Sequence, residues 1–352
     1  MTKLIDRCGD SMRNIDKFRG CLIGGAAGDA LGYAVEFKRE DEIFSEYGKD
    51  GITEYDLILD DDVAEISDDT QMTLFTAEGM LLVGNKNDNT DYISSIREMY
   101  RCWYQTQSKK YPAQGTKHCS QLMRVPELYH RRCPGMTCMA AIEAGAKGTV
   151  NIPINDSKGC GGVMRVAPIG LYFADTDIPY EKSDMLAAEA AALTHGHDLG
   201  YIPAAALSHI VRAVAESDIP LKTAVNDSIT AMEKLFPKAE HIEDFSAIMR
   251  NAVQFAESDT DSLSAIHKLG EGWVAEETLA IAVYCALRYE NDFDMALRAS
   301  VNHNGDSDST GAVCGNILGA YIGYDAIPQK YKERLELHDL IVKVADHLCD
   351  KS

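Results

Sequence analysis

The sequence predicts an all-α protein, and three observations carry that expectation. Apolar residues recur mostly at three- and four-residue spacing, as in YISSIREMYRCWYQT, SDMLAAEAAALTHG, IPAAALSHIVRAVAE and VAEETLAIAVYCALRY. Alanine is abundant in these segments and favours helix. Strand-like alternation is scarce, and most of the 10 prolines fall where helices would begin or end. No low-complexity linker or shift in composition divides the 352 residues, so one large domain over 1–352 is expected rather than two.

Two of the expected helices carry glycine at every fourth position: Gly20, Gly24, Gly28 and Gly32, then Gly311, Gly315, Gly319 and Gly323. Each glycine weakens a helix by about 1 kcal/mol relative to alanine, so eight in register need a reason. A stripe without side chains lets another backbone come close. Neither segment is long enough to span a membrane, so tight packing of two central helices, one on the other, is expected. Antiparallel packing would bring Glu36, just beyond the first helix, to Asp306, at the start of the second.

Composition narrows the function. Hydrophobic residues are 45% of the chain, enough for a packed core, and the net charge is −21. A field of that sign repels nucleic acid and anionic membrane. Lys109–Lys110 and Arg131–Arg132 are isolated basic pairs, and no longer run occurs. None of the ten cysteines forms a C-x-x-C pair, so the usual zinc spacing is absent and buried, reduced thiols are expected. The N-terminal MTKLIDRCGDSMRN carries acids and no apolar h-region, which together with the thiols points to a cytoplasmic protein.

Two acidic segments carry the chemistry. Ser67-Asp68-Asp69-Thr70 precedes the helical run QMTLFTAEGML, and Asp306-Ser307-Asp308-Ser309-Thr310 precedes the second glycine-striped helix. Either alone reads as an elaborate helix N-cap. Four carboxylates brought together would repel one another, and a hard divalent cation such as Mg²⁺ or Mn²⁺ relieves that while matching Asp and hydroxyl oxygens. Asp306-x-Asp308-x-Thr310 also matches the phosphatase pattern D-x-D-x-T. That chemistry needs an apolar strand directly before the first Asp, whereas Val301-Asn302-His303-Asn304-Gly305 stands there. The glycine-rich Gly159-Cys160-Gly161-Gly162-Val163-Met164-Arg165 offers backbone N–H groups to a phosphate, with a tight turn as the plain alternative. Leu193-Thr194-His195 reads equally as a packed helix end.

These segments together resemble the ADP-ribosylglycohydrolases: G-D-A-L-G at 28–32, S-D-D-T-Q-M at 67–72, G-x-G-G-x-M-R at 159–165, L-T-H at 193–195 and G-D-S-D-S-T-G at 305–311. The motifs follow the family's order and cover about residues 18–330. The resemblance implies an orthogonal helical bundle holding two Mg²⁺ or Mn²⁺ ions, and cleavage of the bond between ADP-ribose and an acceptor side chain. Family metal ligands fall on Ser67, Asp68, Asp69, Asp306, Asp308 and Ser309, and the family's proton-transfer acid falls on Glu36. Ser157, Gly159, Cys160, Gly161, Gly162, Met164 and His195 would line the ADP-ribose pocket, with Gly115 in a neighbouring loop. Cys160 stands where the family commonly has Asn. No Asp occurs between Tyr92 and Asn155, where some bacterial members carry one, so the acid/base role rests on Glu36. The expected partner is an ADP-ribosylated protein or conjugate, with arginine favoured as acceptor and serine open. A non-catalytic ADP-ribose-binding or crystallin-like protein, and a hydrolase of a free ADP-ribose derivative, are the alternatives.

Overall fold

The computed structural model describes residues 13–57, 62–84, 89–113 and 120–351. Among these residues lie fifteen α-helices and four short 3₁₀ turns, with no strand and only two isolated bridges, Ala64 with Leu335 and Gly159 with Val274. The helical periodicity is therefore realised throughout. One continuous apolar core runs from Phe18 to Cys349 and is rich in the small side chains of the alanine segments. No helix among the described residues is long and apolar enough to cross a membrane.

The two glycine helices, Ile15–Tyr33 and Ser307–Ile322, pack antiparallel at the centre. A Cβ placed on Gly20, Gly24, Gly28 or Gly32 would meet the carbonyl oxygen of Gly319, Gly315, Gly311 or Ser307 at 2.2, 2.3, 2.0 and 2.2 Å. The reverse holds for Gly311, Gly315 and Gly319 against Gly28, Gly24 and Gly20. The Cα hydrogens thus point at carbonyls, which adds weak C–H···O attraction to close dispersion contact. Polar locks fix the register. The Asn316 amide donates to Cys21 O at 2.8 Å, and the N–H groups of Tyr324 and Asp325 bond the backbone and side chain of Asp16.

That register carries the chain ends of both helices to one place. Helix Ile15–Tyr33 stops three residues before Glu36, and Asp306 caps the start of Ser307–Ile322. Helix Asp68–Val83 delivers the third segment, capped by Ser67, whose Oγ accepts the Asp69 N–H at 3.1 Å.

Propensity alone says that Gly28→Ala stabilises by about 1 kcal/mol. The 2.0 Å approach to Gly311 O says the opposite, a destabilisation of about 1–3 kcal/mol from overpacking. Urea unfolding of the variant decides the sign.

Candidate active site

Each half of the site begins as an ordinary helix N-terminus. Asp306 Oδ1 accepts the Ser309 N–H at 3.3 Å, and Asp308 Oδ1 accepts the same group at 2.8 Å. The capping reading is therefore true of both segments, and helix dipoles favour carboxylates there. It is incomplete, because the two N-termini face each other. One carboxylate oxygen from each of Glu36, Asp306 and Asp308 lies within 4.8 Å of the others. Asp68 and Asp69 join them closely enough that Asp308 acts on both. Ser67 and Ser309 are fully buried beside these acids. Ser67 lies near enough to Asp308 to favour its ionised form, so the two halves meet there.

All five carboxyls are at least 92% buried by exposure. Burial, then the charge of Asp308, holds Asp68 and Asp69 well above the usual carboxylate range. Burial, then Asp306, does the same to Asp308, and burial, then Asp308 and Asp306, to Glu36. Glu36 Oε2 and Asp69 Oδ2 are buried without a hydrogen-bond partner. The nearby Arg132, whose carbonyl accepts the Asp68 N–H, is engaged by Glu65 at 2.5 Å and Glu336 at 3.3 Å. Buried like charges with orphaned oxygens, and no cationic side chain paired with them among the described residues, fit a hard divalent ion, whose donor set is oxygen. A second cluster, His197, Asp198 and His241, also brings three metal-binding atoms together. Its atoms are satisfied from within. Leu199 N–H reaches both His197 Nδ1 and Asp198 Oδ1, and His241 N–H reaches Asp198 Oδ2.

One residue essential to the arrangement escaped the sequence reading. Asp29, in the middle of the first glycine helix and fully buried, accepts the N–H groups of Ser67 at 3.0 Å and Thr70 at 3.0 Å, and the Thr70 hydroxyl. It therefore bolts the 67–70 segment to the glycine helix. Burial, then Asp308, pushes its carboxyl up to about 7. An acid placed between glycines at 28 and 32 was the available signal. The polar turn 302–305 is pinned as well. The Asn302 amide spans Ile52 N–H and Ile52 O at 2.7 and 3.0 Å, and His303 sits fully buried against Ser300 O and Thr310 Oγ1. Gly305 has φ +117°, and a Cβ there would stand 1.9 Å from Glu271 O, the acceptor of the Asp306 N–H.

The glycine turn lies against this centre. Cys160 Sγ is 2.8 Å from Asp306 Oδ2, and the Met164 sulfur is 4.0 Å from Ser309 Oγ. Ser157 Oγ accepts the Gly159 N–H at 3.4 Å. His195 is buried behind the turn, with Nε2 at 3.3 and 3.4 Å from where Gly159 and Gly161 would carry a Cβ. Arg165 Nη2 donates to Thr194 Oγ1 at 2.7 Å, and that hydroxyl lies 2.8 Å from His195 Nδ1 and 3.4 Å from Ala191 O. A guanidinium only donates, so the Thr194 hydroxyl accepts from Arg165 and links it to the imidazole behind the turn. Burial, then Arg165, holds His195 down at about 3, hence neutral. Gly115 lies outside the described residues.

The comparisons with known proteins bear on this geometry. The model of the ADP-ribosylglycohydrolase family matches residues 10–352. The chain belongs to that family. Similar proteins include an uncharacterized protein of Archaeoglobus fulgidus, 28% identical over 95% of this chain and 96% of its own. ADP-ribosylhydrolase ARH3 of Mus musculus is 24% identical over 92% of this chain and 88% of its own. ADP-ribosylarginine hydrolase Tri1 of Serratia proteamaculans is 25% identical over 95% and 79%. A solved structure titled ADP-ribosylglycohydrolase-related protein complex superposes with a TM-score of 0.64 at 24% identity, over 96% of this chain and 98% of that one. Family membership places this chain among the ADP-ribosyl hydrolases, and the helical architecture agrees.

Two outcomes follow for this ADP-ribosylglycohydrolase. Asp29→Ala leaves several buried donors unpaired and should cost about 2–4 kcal/mol in urea unfolding. His195 has its folded pKa depressed, so the stability it contributes is present above about pH 6.5 and lost as pH falls towards 3. His195→Gln should remove up to about 1.4 kcal/mol per pH unit from the wild-type slope below pH 6.5, read from urea unfolding at several pH values.

Proposed function

We propose that the chain hydrolyses the glycosidic bond between ADP-ribose and an acceptor side chain, arginine being favoured, with two Mg²⁺ or Mn²⁺ ions at the acidic centre. The observation that carries this reading is the meeting of five buried carboxylates from three segments, two of them with orphaned oxygens. Ser67, Asp68 and Asp69 would hold the ions from one side, and Asp306, Asp308 and Ser309 from the other. When bound, the ions would supply positive charge to orient the hydroxyls of the distal ribose and the attacking water.

The remaining steps belong to side chains. Glu36, on the turn between two helices, brings a carboxylate oxygen within 4.8 Å of Asp306 and Asp308, and its Oε2 is unpartnered. It is the group placed to move a proton between water and the departing acceptor. The turn from Ser157 to Gly162 offers backbone close approach, and neutral His195 sets an uncharged ring against it. Together they suit the pyrophosphate and adenosine half, with Met164 closing the side towards Ser309. Cys160 brings a thiol to Asp306 where the family commonly offers an amide. The whole chain would act as one domain on ADP-ribosylated protein or conjugates in the cytoplasm, away from nucleic acid and membrane.

ADP-ribose release from arginine- and serine-linked substrates, with Mg²⁺, Mn²⁺ or EDTA, tests the reading. Release should need the metal and vanish in Asp306→Ala. Glu36→Gln should lower kcat about 10²–10⁴-fold while ADP-ribose still binds. Tight ADP-ribose binding without release from either substrate would instead identify a binding protein.

A further inference from the structure

Two exposed aromatic rings stand at the mouth of this centre with no part in the chemistry above. Phe37 follows Glu36 directly and is 69% exposed, and Trp273 is 42% exposed. They come from segments far apart in the chain, yet their rings lie 6.4 Å apart by centroid with planes only 22° from parallel. Exposed apolar rings of this size are costly in water, so their meeting here asks for a ligand.

Both rings are anchored to the acidic centre through their backbones. The Trp273 carbonyl accepts the Cys160 N–H at 3.3 Å, and the Cys160 thiol contacts Asp306. Gly272, just before Trp273, has φ +81° and would put a Cβ 3.5 Å from the Asp306 Cβ. On the other wall, adjacent Cα atoms are about 3.8 Å apart, so Phe37 begins one residue from the proton-transfer carboxylate. Whatever group leaves the anomeric carbon must come within hydrogen-bond reach of Glu36, and it emerges beside these rings.

We propose that Phe37 and Trp273 form a platform that seats the planar guanidinium of an arginine acceptor; this rests on the proposed hydrolase reading and makes its acceptor specific. Guanidinium is flat, cationic and weakly hydrated, so it stacks on aromatic faces, whereas a serine oxygen offers neither plane nor charge. The surrounding field has the right sign. The chain as a whole carries −21, and the centre is lined by acids. Neither ring belongs to the buried core, so both can be changed without opening a cavity.

The test is steady-state hydrolysis of ADP-ribosyl-arginine by the full chain, paired with ADP-ribose binding by calorimetry. Phe37→Leu with Trp273→Leu should raise KM about fivefold to thirtyfold, with a smaller change in kcat and in the Kd for ADP-ribose. Trp273→Phe in the otherwise native chain should stay within about threefold, because a ring face remains. The emission of Trp103, fully buried and then the sole tryptophan, reports that the double variant is folded. A KM that stays at the wild-type value overturns the platform while leaving the hydrolase reading intact. A KM that rises only in step with the ADP-ribose Kd also overturns it, by showing that the rings hold adenine or ribose. A wild type that cleaves only serine-linked ADP-ribose overturns the platform and the arginine preference together.

Discussion

The backbone contact between the two glycine helices is the constraint on which the rest depends. Nothing larger than hydrogen fits at Gly20, Gly24, Gly28 and Gly32 or at Gly311, Gly315 and Gly319, so the helices approach until carbonyls touch Cα hydrogens. At that separation the register is fixed to one solution, since a slip of one residue would drive Leu31 or Ala27 into the opposite backbone. The helices then act as a rigid ruler. Glu36, just past the end of one helix, and Asp306 and Asp308, at the start of the other, arrive within a few ångströms of each other as a consequence of packing.

What the ruler assembles is unstable by itself. Buried carboxylates at mutual contact raise one another's pKa, and each orphaned oxygen adds a desolvation cost. The surrounding structure offsets this with dipoles and donors. Two helix N-termini point at the acids, Gly135 N–H donates to Asp68, and Asp29 secures the 67–70 segment to the glycine helix. Strong preorganisation of oxygen ligands with a deficit of positive charge is the electrostatic condition under which a divalent ion binds tightly. On the proposed reading, an ion bound there would offset this cost in the folded chain, and the helix pair supplies the geometry for it.

Much of this was legible in the sequence because its signals are local or periodic. The four-residue glycine repeat specifies a close helix pair, and its antiparallel sense follows from where the acidic segments fall. S-D-D-T and D-S-D-S-T each announce a cap, and their doubling announces more than a cap. Other parts are three-dimensional accidents of the same packing and leave no local trace. Asp29 looks like one polar residue in an apolar helix until its partners at Ser67 and Thr70 are seen. The setting of the His195 ring depends on Arg165 and Thr194, which are far apart in sequence. The Cys160 thiol reaches Asp306, and Phe37 meets Trp273, only because the turn at 159–162 is bonded to the segment at 271–274.

The central claim is that two helix N-termini and one turn form a binuclear cation site. Counting Mn²⁺ bound by the intact chain tests it most directly, using electron paramagnetic resonance to quantify free ion during a titration of metal-depleted protein. Two tightly held ions per chain, with the count reduced when Asp69 or Asp308 is replaced by Asn, is the expected result. Saturation at no ion, or a full complement of two retained in both variants, would contradict it.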